Sequence, residues 1–181
     1  MNSPLAHTFI FLAGVHGVGK SSLCREVFEP AGFHCVSASS IIKKANGEVT
    51  TTKTVSNIDS NQQKLLSGLD HLKLTQQRLI IDGHFAILNA NKTIQCIDID
   101  VFRQMAPDAI VVVKGDPQVT ADRIESRDGS VWIAEFIAEL QECELAHAKS
   151  VANEMNIPFY VIASADEANQ LILLIRGPLH L

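Results

Sequence analysis

The chain has 181 residues, 46% of them hydrophobic and 19% charged, with a formal net charge of -5. That length suits one domain, 1–181, with a single buried core, and the composition excludes a disordered chain. The acidic balance argues against nucleic acid as a partner, because nucleic-acid-binding domains usually carry a basic surplus.

The first predicted element is the apolar run Thr8-Phe9-Ile10-Phe11-Leu12-Ala13, which reads as a strand buried on both faces. No Lys or Arg precedes it, and it is too short for a signal peptide or a membrane span. A cytoplasmic protein with no membrane partner is therefore expected.

The strand runs into Gly14-Val15-His16-Gly17-Val18-Gly19-Lys20-Ser21, which fits the phosphate-loop pattern G-x-x-x-x-G-K-[ST]. Glycines let the backbone turn so that successive N–H groups converge on a phosphate, at the positive end of the following helix. The lysine can reach the β- and γ-phosphates, and the hydroxyl after it can ligate Mg²⁺. ATP and Mg²⁺ are the expected cofactors. Gly14, Val15, His16, Gly17, Val18, Gly19, Lys20, Ser21 and Ser22 form the expected nucleotide-binding set, with Ser21 also a metal ligand. A helix follows through Phe28, stopped by Pro30 and Gly32.

Phe33–Ser37 reads as a second strand, and Ser39 or Ser40 as the N-cap of a short helix through Ala45. Lys43 and Lys44 on that helix are candidates for binding a second phosphate. Residues 46–57 read as a mobile loop, and Leu65, Leu66, Leu69 and Leu72 mark a helix beginning near Ile58. Arg78–Asp82 is the third strand. A carboxylate at its end would face the phosphate edge, so Asp82 is expected to hold Mg²⁺ directly or through water. His84 is a candidate substrate contact. Residues 84–99 look irregular, with a short strand near Ile97–Ile99, before a brief helix Asp100–Met105 that carries Arg103, another candidate for the second phosphate.

Ala109–Lys114 is the plainest buried strand, and Asp116-Pro117 an N-cap followed by proline at the first helical position. Arg123 and Arg127 lie four apart on that helix and so share a face. Paired guanidiniums there could stabilise the charge of a transferring phosphoryl group. A long helix over 131–155, with Trp132 and Phe136 in its apolar stripe, could serve as core or interface, which leaves a homo-oligomer open. Phe159–Ile162 is the last strand and 166–176 the last helix. Cys24, Cys35, Cys96 and Cys143 show no C-x-x-C pairing, so separate thiols are expected rather than a zinc site.

Strands alternating with helices imply an α/β fold with a mostly parallel sheet covered on both faces. Ligands in such sheets bind at the carboxyl ends of the strands. With these residues in place, the chain resembles the adenylate kinase-like nucleoside monophosphate kinases, most closely the archaeal-type adenylate kinases and related small ATP-binding proteins. The resemblance rests on GVHGVGKSS, VSASSIIKK, LIIDGH and the segment from IVVVKGDP to RIESRD. It implies a three-layer P-loop fold with a five-stranded sheet in the order 2-3-1-4-5, an acceptor-side segment about 38–77 and a short lid about 123–131. It also implies catalytic roles for Lys20, Asp82, Arg123 and Arg127, with Ser39, Lys43 and His84 on the substrate. The Asp-Gly-Phe-Pro-Arg signature of the bacterial enzymes is absent, because Gly83 is followed by His84-Phe85-Ala86.

The expectation is an ATP-dependent phosphotransferase acting on a small acceptor, a nucleotide. The alternative is a nucleotide-dependent regulatory ATPase acting on a protein partner.

Overall fold

The computed structural model describes residues 8–45, 58–89 and 91–176. The stretch 46–57, expected to be a mobile loop, lies outside them.

Strand β1 (Thr8–Ala13) is apolar after its first residue and sits at the centre of the sheet. It pairs in parallel with β3 (Arg78–Gly83) on one side and β6 (Ala109–Val113) on the other. β2 (His34–Ser37) and β7 (Phe159–Ile162) close the edges, giving the order β2-β3-β1-β6-β7. Counted as five strands in chain order, this is the topology expected. Side chains alternate across each strand. Ile10 and Leu12 therefore face one core, with Val27, Phe28, Ile124 and Leu171. Phe9, Phe11 and Ala13 face the other, with Leu65, Leu69, Phe102 and Val151.

After the loop, α1 (Lys20–Leu23) continues as a π turn, Cys24–Phe28. α2 spans Ala38–Ala45 and α3 Ile58–Thr75. The cap of α2 is not Ser39 or Ser40: the Ser37 hydroxyl accepts the Ser40 N–H at 3.1 Å, because the helix starts directly at the strand end. α4 covers Ile99–Met105 and α5 Pro117–Asp128. The Asp116 side chain accepts the Val119 N–H at 2.9 Å, the cap the sequence predicts. α6 (Ala134–Met155) starts after Trp132, and α7 spans Ala165–Arg176. Trp132 is half-buried against Phe136, with ring centroids 5.7 Å apart, while Ile133 is 64% exposed. The apolar stripe thus begins later than its spacing suggests.

Residues 84–99 hold a hairpin, β4 (Ala86–Leu88) against antiparallel β5 (Ile94–Cys96). The short strand lies three residues before its expected place, and Ile97 instead donates its N–H to the Phe85 carbonyl at 2.8 Å. Among the described residues, no helix is long and apolar enough to cross a membrane.

Candidate functional site

The register Leu12↔Asp82 and Ala13↔Gly83 brings the start of the phosphate loop beside the end of β3. Gly14 has φ +144°, and a Cβ there would lie 2.7 Å from the Val113 carbonyl oxygen. Gly17 has φ +80°, and its Cβ would meet Ile124 of α5 at 2.6 Å. The loop can fold this way against α5 only without those side chains.

Lys20 is 7% exposed, and its Nζ donates to the carbonyls of Gly14 at 2.5 Å and Val15 at 3.2 Å. Burial pulls its pKa down, and the carboxylates of Asp82 and Glu144 oppose that shift. Burial likewise pushes the Asp82 carboxyl up, with Lys20 opposing. Each group's charge therefore opposes the effect that burial has on the other.

A cavity of about 710 Å³ opens over the loop. His16 to Ser22 line it, together with Asp82, His84, Arg123 and Arg127. Gly14 and Val15, expected in the same set, lie beneath and do not reach it; both are buried. The arginines share the cavity wall, as their four-residue spacing predicts. The Arg123 Nη1 lies 3.5 Å from the Val18 carbonyl. Arg127 donates to both Asp128 oxygens at 2.7 and 2.8 Å, and its Nη2 meets the His16 Nε2. His16 also lies 3.1 Å from Asp128, so the loop and the end of α5 are joined through these three side chains.

Ser21 and Asp82 present a hydroxyl and a carboxylate to the same cavity. Hard oxygen donors in that number suit Mg²⁺, which usually keeps waters and substrate phosphates as its other ligands. Among the described residues no group of three or more His, Cys, Asp or Glu could hold a metal.

A second cavity of about 280 Å³ adjoins the first. Phe11, Ile42, Leu65, Phe102 and Met105 give it an apolar wall, with Asn61 and Gln62 beside them. Phe102 stacks on Phe85 at 4.1 Å, and Phe11 meets both rings edge-on at 5.3 Å, so packed rings back this wall. Ser37, Ser39, Asp82 and His84 line both cavities. The His84 side chain is 34% exposed. Partial burial, then the positive charge of Lys20, lowers its pKa, so the imidazole is held neutral. Lys43 lies exposed on α2 and reaches neither cavity. Arg103 is turned away and paired with Asp100 at 2.7 Å and Glu154 at 3.1 Å.

The AAA domain family matches residues 13–141 of the 181, from the end of β1 into α6. The chain belongs to that family. Similar solved structures share the α/β fold of this AAA-domain protein. One is a gluconokinase from Sinorhizobium meliloti, with 19% identity over 93% of this chain and 91% of the other and a TM-score of 0.50. Another is a shikimate kinase from Bacteroides thetaiotaomicron, with 12% identity over 91% and 96% and a TM-score of 0.58. An uncharacterized protein from Eubacterium ventriosum has 10% identity over 92% and 96%, with a TM-score of 0.51. No curated protein sequence is significantly similar to this chain. Family and fold do not single out the adenylate kinases.

Two residues of the AAA-domain site escape the sequence reading. Glu144 in α6 is 1% exposed; its carboxylate accepts the Gly14 N–H at 3.1 Å and the Ala86 N–H at 2.6 Å. Burial pushes its pKa up, while the N–H groups of Phe85, Ala86 and Gly14 and the charge of Lys20 oppose the shift. Gln141, one turn earlier, accepts the Gly115 N–H at 2.9 Å and donates to the Gly115 carbonyl at 3.0 Å, fixing the turn after β6. The sequence marks both as exceptions but not what they hold. Gln141 and Glu144 sit among Ile137, Leu140, Ala148 and Val151, polar residues on a stripe that is otherwise apolar.

Proposed function

We propose that this protein is a Mg·ATP-dependent phosphotransferase that moves the γ-phosphoryl group to a hydroxyl of a small acceptor. The supporting observation is that the phosphate-loop cavity and the apolar cavity meet at four shared residues, Ser37, Ser39, Asp82 and His84. A donor in one and an acceptor in the other would touch at that junction.

On this reading the N–H groups of the loop and Lys20 hold the β- and γ-phosphates, and Arg123 and Arg127 neutralise charge as the phosphoryl group leaves. Mg²⁺, held by Ser21 and Asp82, would supply further charge neutralisation at the phosphates. Asp82 also stands where it could accept the acceptor's hydroxyl proton, and neutral His84 could orient that hydroxyl by a hydrogen bond. Positioning and electrostatics carry the reaction, and no covalent enzyme intermediate is required.

The acceptor's chemistry follows from the wall it would meet. A nucleotide acceptor would bring a phosphate that needs a cation. Among the described residues lining the apolar cavity there is no Lys or Arg, and Asp82 stands at its mouth. That arrangement favours an uncharged acceptor with an apolar body and a hydroxyl, such as a nucleoside or a cyclic alcohol, over a nucleoside monophosphate.

The test is ADP production from Mg·ATP across nucleosides, neutral alcohols, sugar acids and nucleoside monophosphates, with Lys20→Ala as the control. Stimulation by a neutral acceptor, lost in the control, is expected. Stimulation by nucleoside monophosphates alone would overturn the acceptor class. Slow hydrolysis indifferent to every acceptor would overturn the kinase reading and favour the regulatory ATPase.

A further inference from the structure

The Cys96 and Cys143 sulfurs lie 3.8 Å apart, although 47 residues separate them in sequence. Cys96 ends β5 and is exposed, whereas Cys143 is partly covered on α6. Their surroundings differ in a way that suits two unequal roles. Cys96 is open to a small oxidant. Cys143 is packed against the core, and burial, then its contact with Cys96, pushes its thiol up.

We propose that Cys96 and Cys143 form a peroxide-responsive disulfide that braces the β4–β5 hairpin against α6. The oxidant is hydrogen peroxide or an organic hydroperoxide. The Cys96 thiolate attacks one peroxide oxygen, the O–O bond breaks, and the other oxygen leaves as water or an alcohol after taking a proton. Cys96 is now a sulfenic acid, oxidised by two electrons. The Cys143 sulfur then attacks the Cys96 sulfur and forms the S–S bond. The hydroxyl of the sulfenic acid departs with the Cys143 proton as water. To form the bond the sulfurs close from 3.8 Å to about 2.05 Å.

The brace falls at a consequential place. Ile87 of β4 and Ile97 just after β5 line the apolar cavity. Glu144, the neighbour of Cys143, already holds the Ala86 N–H that starts the hairpin. A bond at Cys143 would therefore add a covalent tie beside an existing hydrogen bond, on the wall where the acceptor is proposed to sit.

A second thiol pair provides an internal comparison. Cys24 and Cys35 are hydrogen-bonded to each other, but Cys24 is 5% exposed. The full chain is treated with a few equivalents of hydrogen peroxide under native conditions, then alkylated and mapped by mass spectrometry, with amide exchange followed in parallel. Expected are a loss of about 2 Da, a Cys96–Cys143 peptide, two remaining free thiols of the four, and reversal by dithiothreitol. Exchange of the β4–β5 amides slows several-fold in the oxidised form and not in peroxide-treated Cys96→Ser. In Cys143→Ser, Cys96 stops as a sulfenic acid that dimedone traps. Four free thiols after treatment, overoxidation of Cys96 without a bond, or a bond at Cys24–Cys35 instead would overturn the proposal. A mapped bond with unchanged exchange would overturn the bracing role.

Discussion

The Glu144 carboxylate lies 3.1 Å from the backbone nitrogen of Gly14, so the phosphate loop hangs at its first residue from a side chain 130 positions later. Its other oxygen holds Ala86, at the start of the hairpin that walls the acceptor side. One carboxylate thus sets the spacing between both halves of the site. Glu144→Gln keeps the shape but turns an amide NH₂ toward one of those N–H groups. A loss of about 1–3 kcal/mol in urea unfolding is expected, the cost of a buried donor left unpaired. ATP affinity should fall with it, read by calorimetry. Unchanged stability and affinity would remove Glu144 from its positioning role.

Gly17 and Ile124 test the loop from the opposite side. Gly17→Ala places a Cβ at φ +80° and against the Ile124 side chain at 2.6 Å. It should cost about 2–3 kcal/mol, part from the left-handed backbone and part from the clash. Ile124→Ala alone should cost about 2–5 kcal/mol through the cavity it opens. Because the second change removes the first one's obstacle, the double variant should lose at least ~1 kcal/mol less than the sum. Additive losses in a denaturant cycle would mean that the loop does not press on α5.

Asp82 supplies a pH signature. Burial raises its carboxyl above the ordinary aspartate value, so it takes up a proton earlier on acidification than an exposed aspartate. If the charged form is required, kcat/KM should fall on the acid side at a pH above ~3.9, and Asp82→Asn should abolish turnover. The stability slope has the opposite sense. A folded-state pKa above the unfolded one gives stability that is present at low pH and lost as pH rises through the folded value. Wild type should therefore lose stability relative to Asp82→Asn across that interval in thermal melts.

Arg123 and Arg127 separate by what holds them. Arg127 is fixed by Asp128 and His16, whereas Arg123 approaches the Val18 carbonyl at 3.5 Å. Arg123→Ala is expected to leave the melting temperature unchanged, since the residue is exposed, while turnover falls about 10²–10³-fold. Arg123→Lys should recover part of that loss, keeping the charge without the planar fork. An undiminished rate in the alanine variant would exclude Arg123 from the transferring phosphoryl group.

Local patterns carried much of the site. A Gly-rich loop between an apolar run and a helix can serve few purposes, so Lys20, Ser21 and their strand–loop–helix setting were legible from residue types alone. The four-residue spacing of Arg123 and Arg127 placed them on one face, and the structure sets both on the wall of the loop cavity. Alternating strands and helices implied the parallel sheet, and the sheet implied that Asp82 would meet the loop.

What depends on contacts between distant segments was not legible. Glu144 and Gln141 lie on a helix whose apolar spacing advertises core, and only packing against Gly14, Ala86 and Gly115 gives those polar groups their work. The hairpin at Ala86–Cys96 has strands of three residues each, too short to show a period. Lys43 has the right charge near the right turn, but helix rotation points it to solvent. The sequence by itself determined that a phosphate loop stands at the head of an α/β sheet, because that chemistry is written in consecutive residues. The tertiary structure alone decided which side chains wall the second cavity and which carboxylate holds the loop, because burial and hydrogen bonding across 130 residues leave no local periodicity to read.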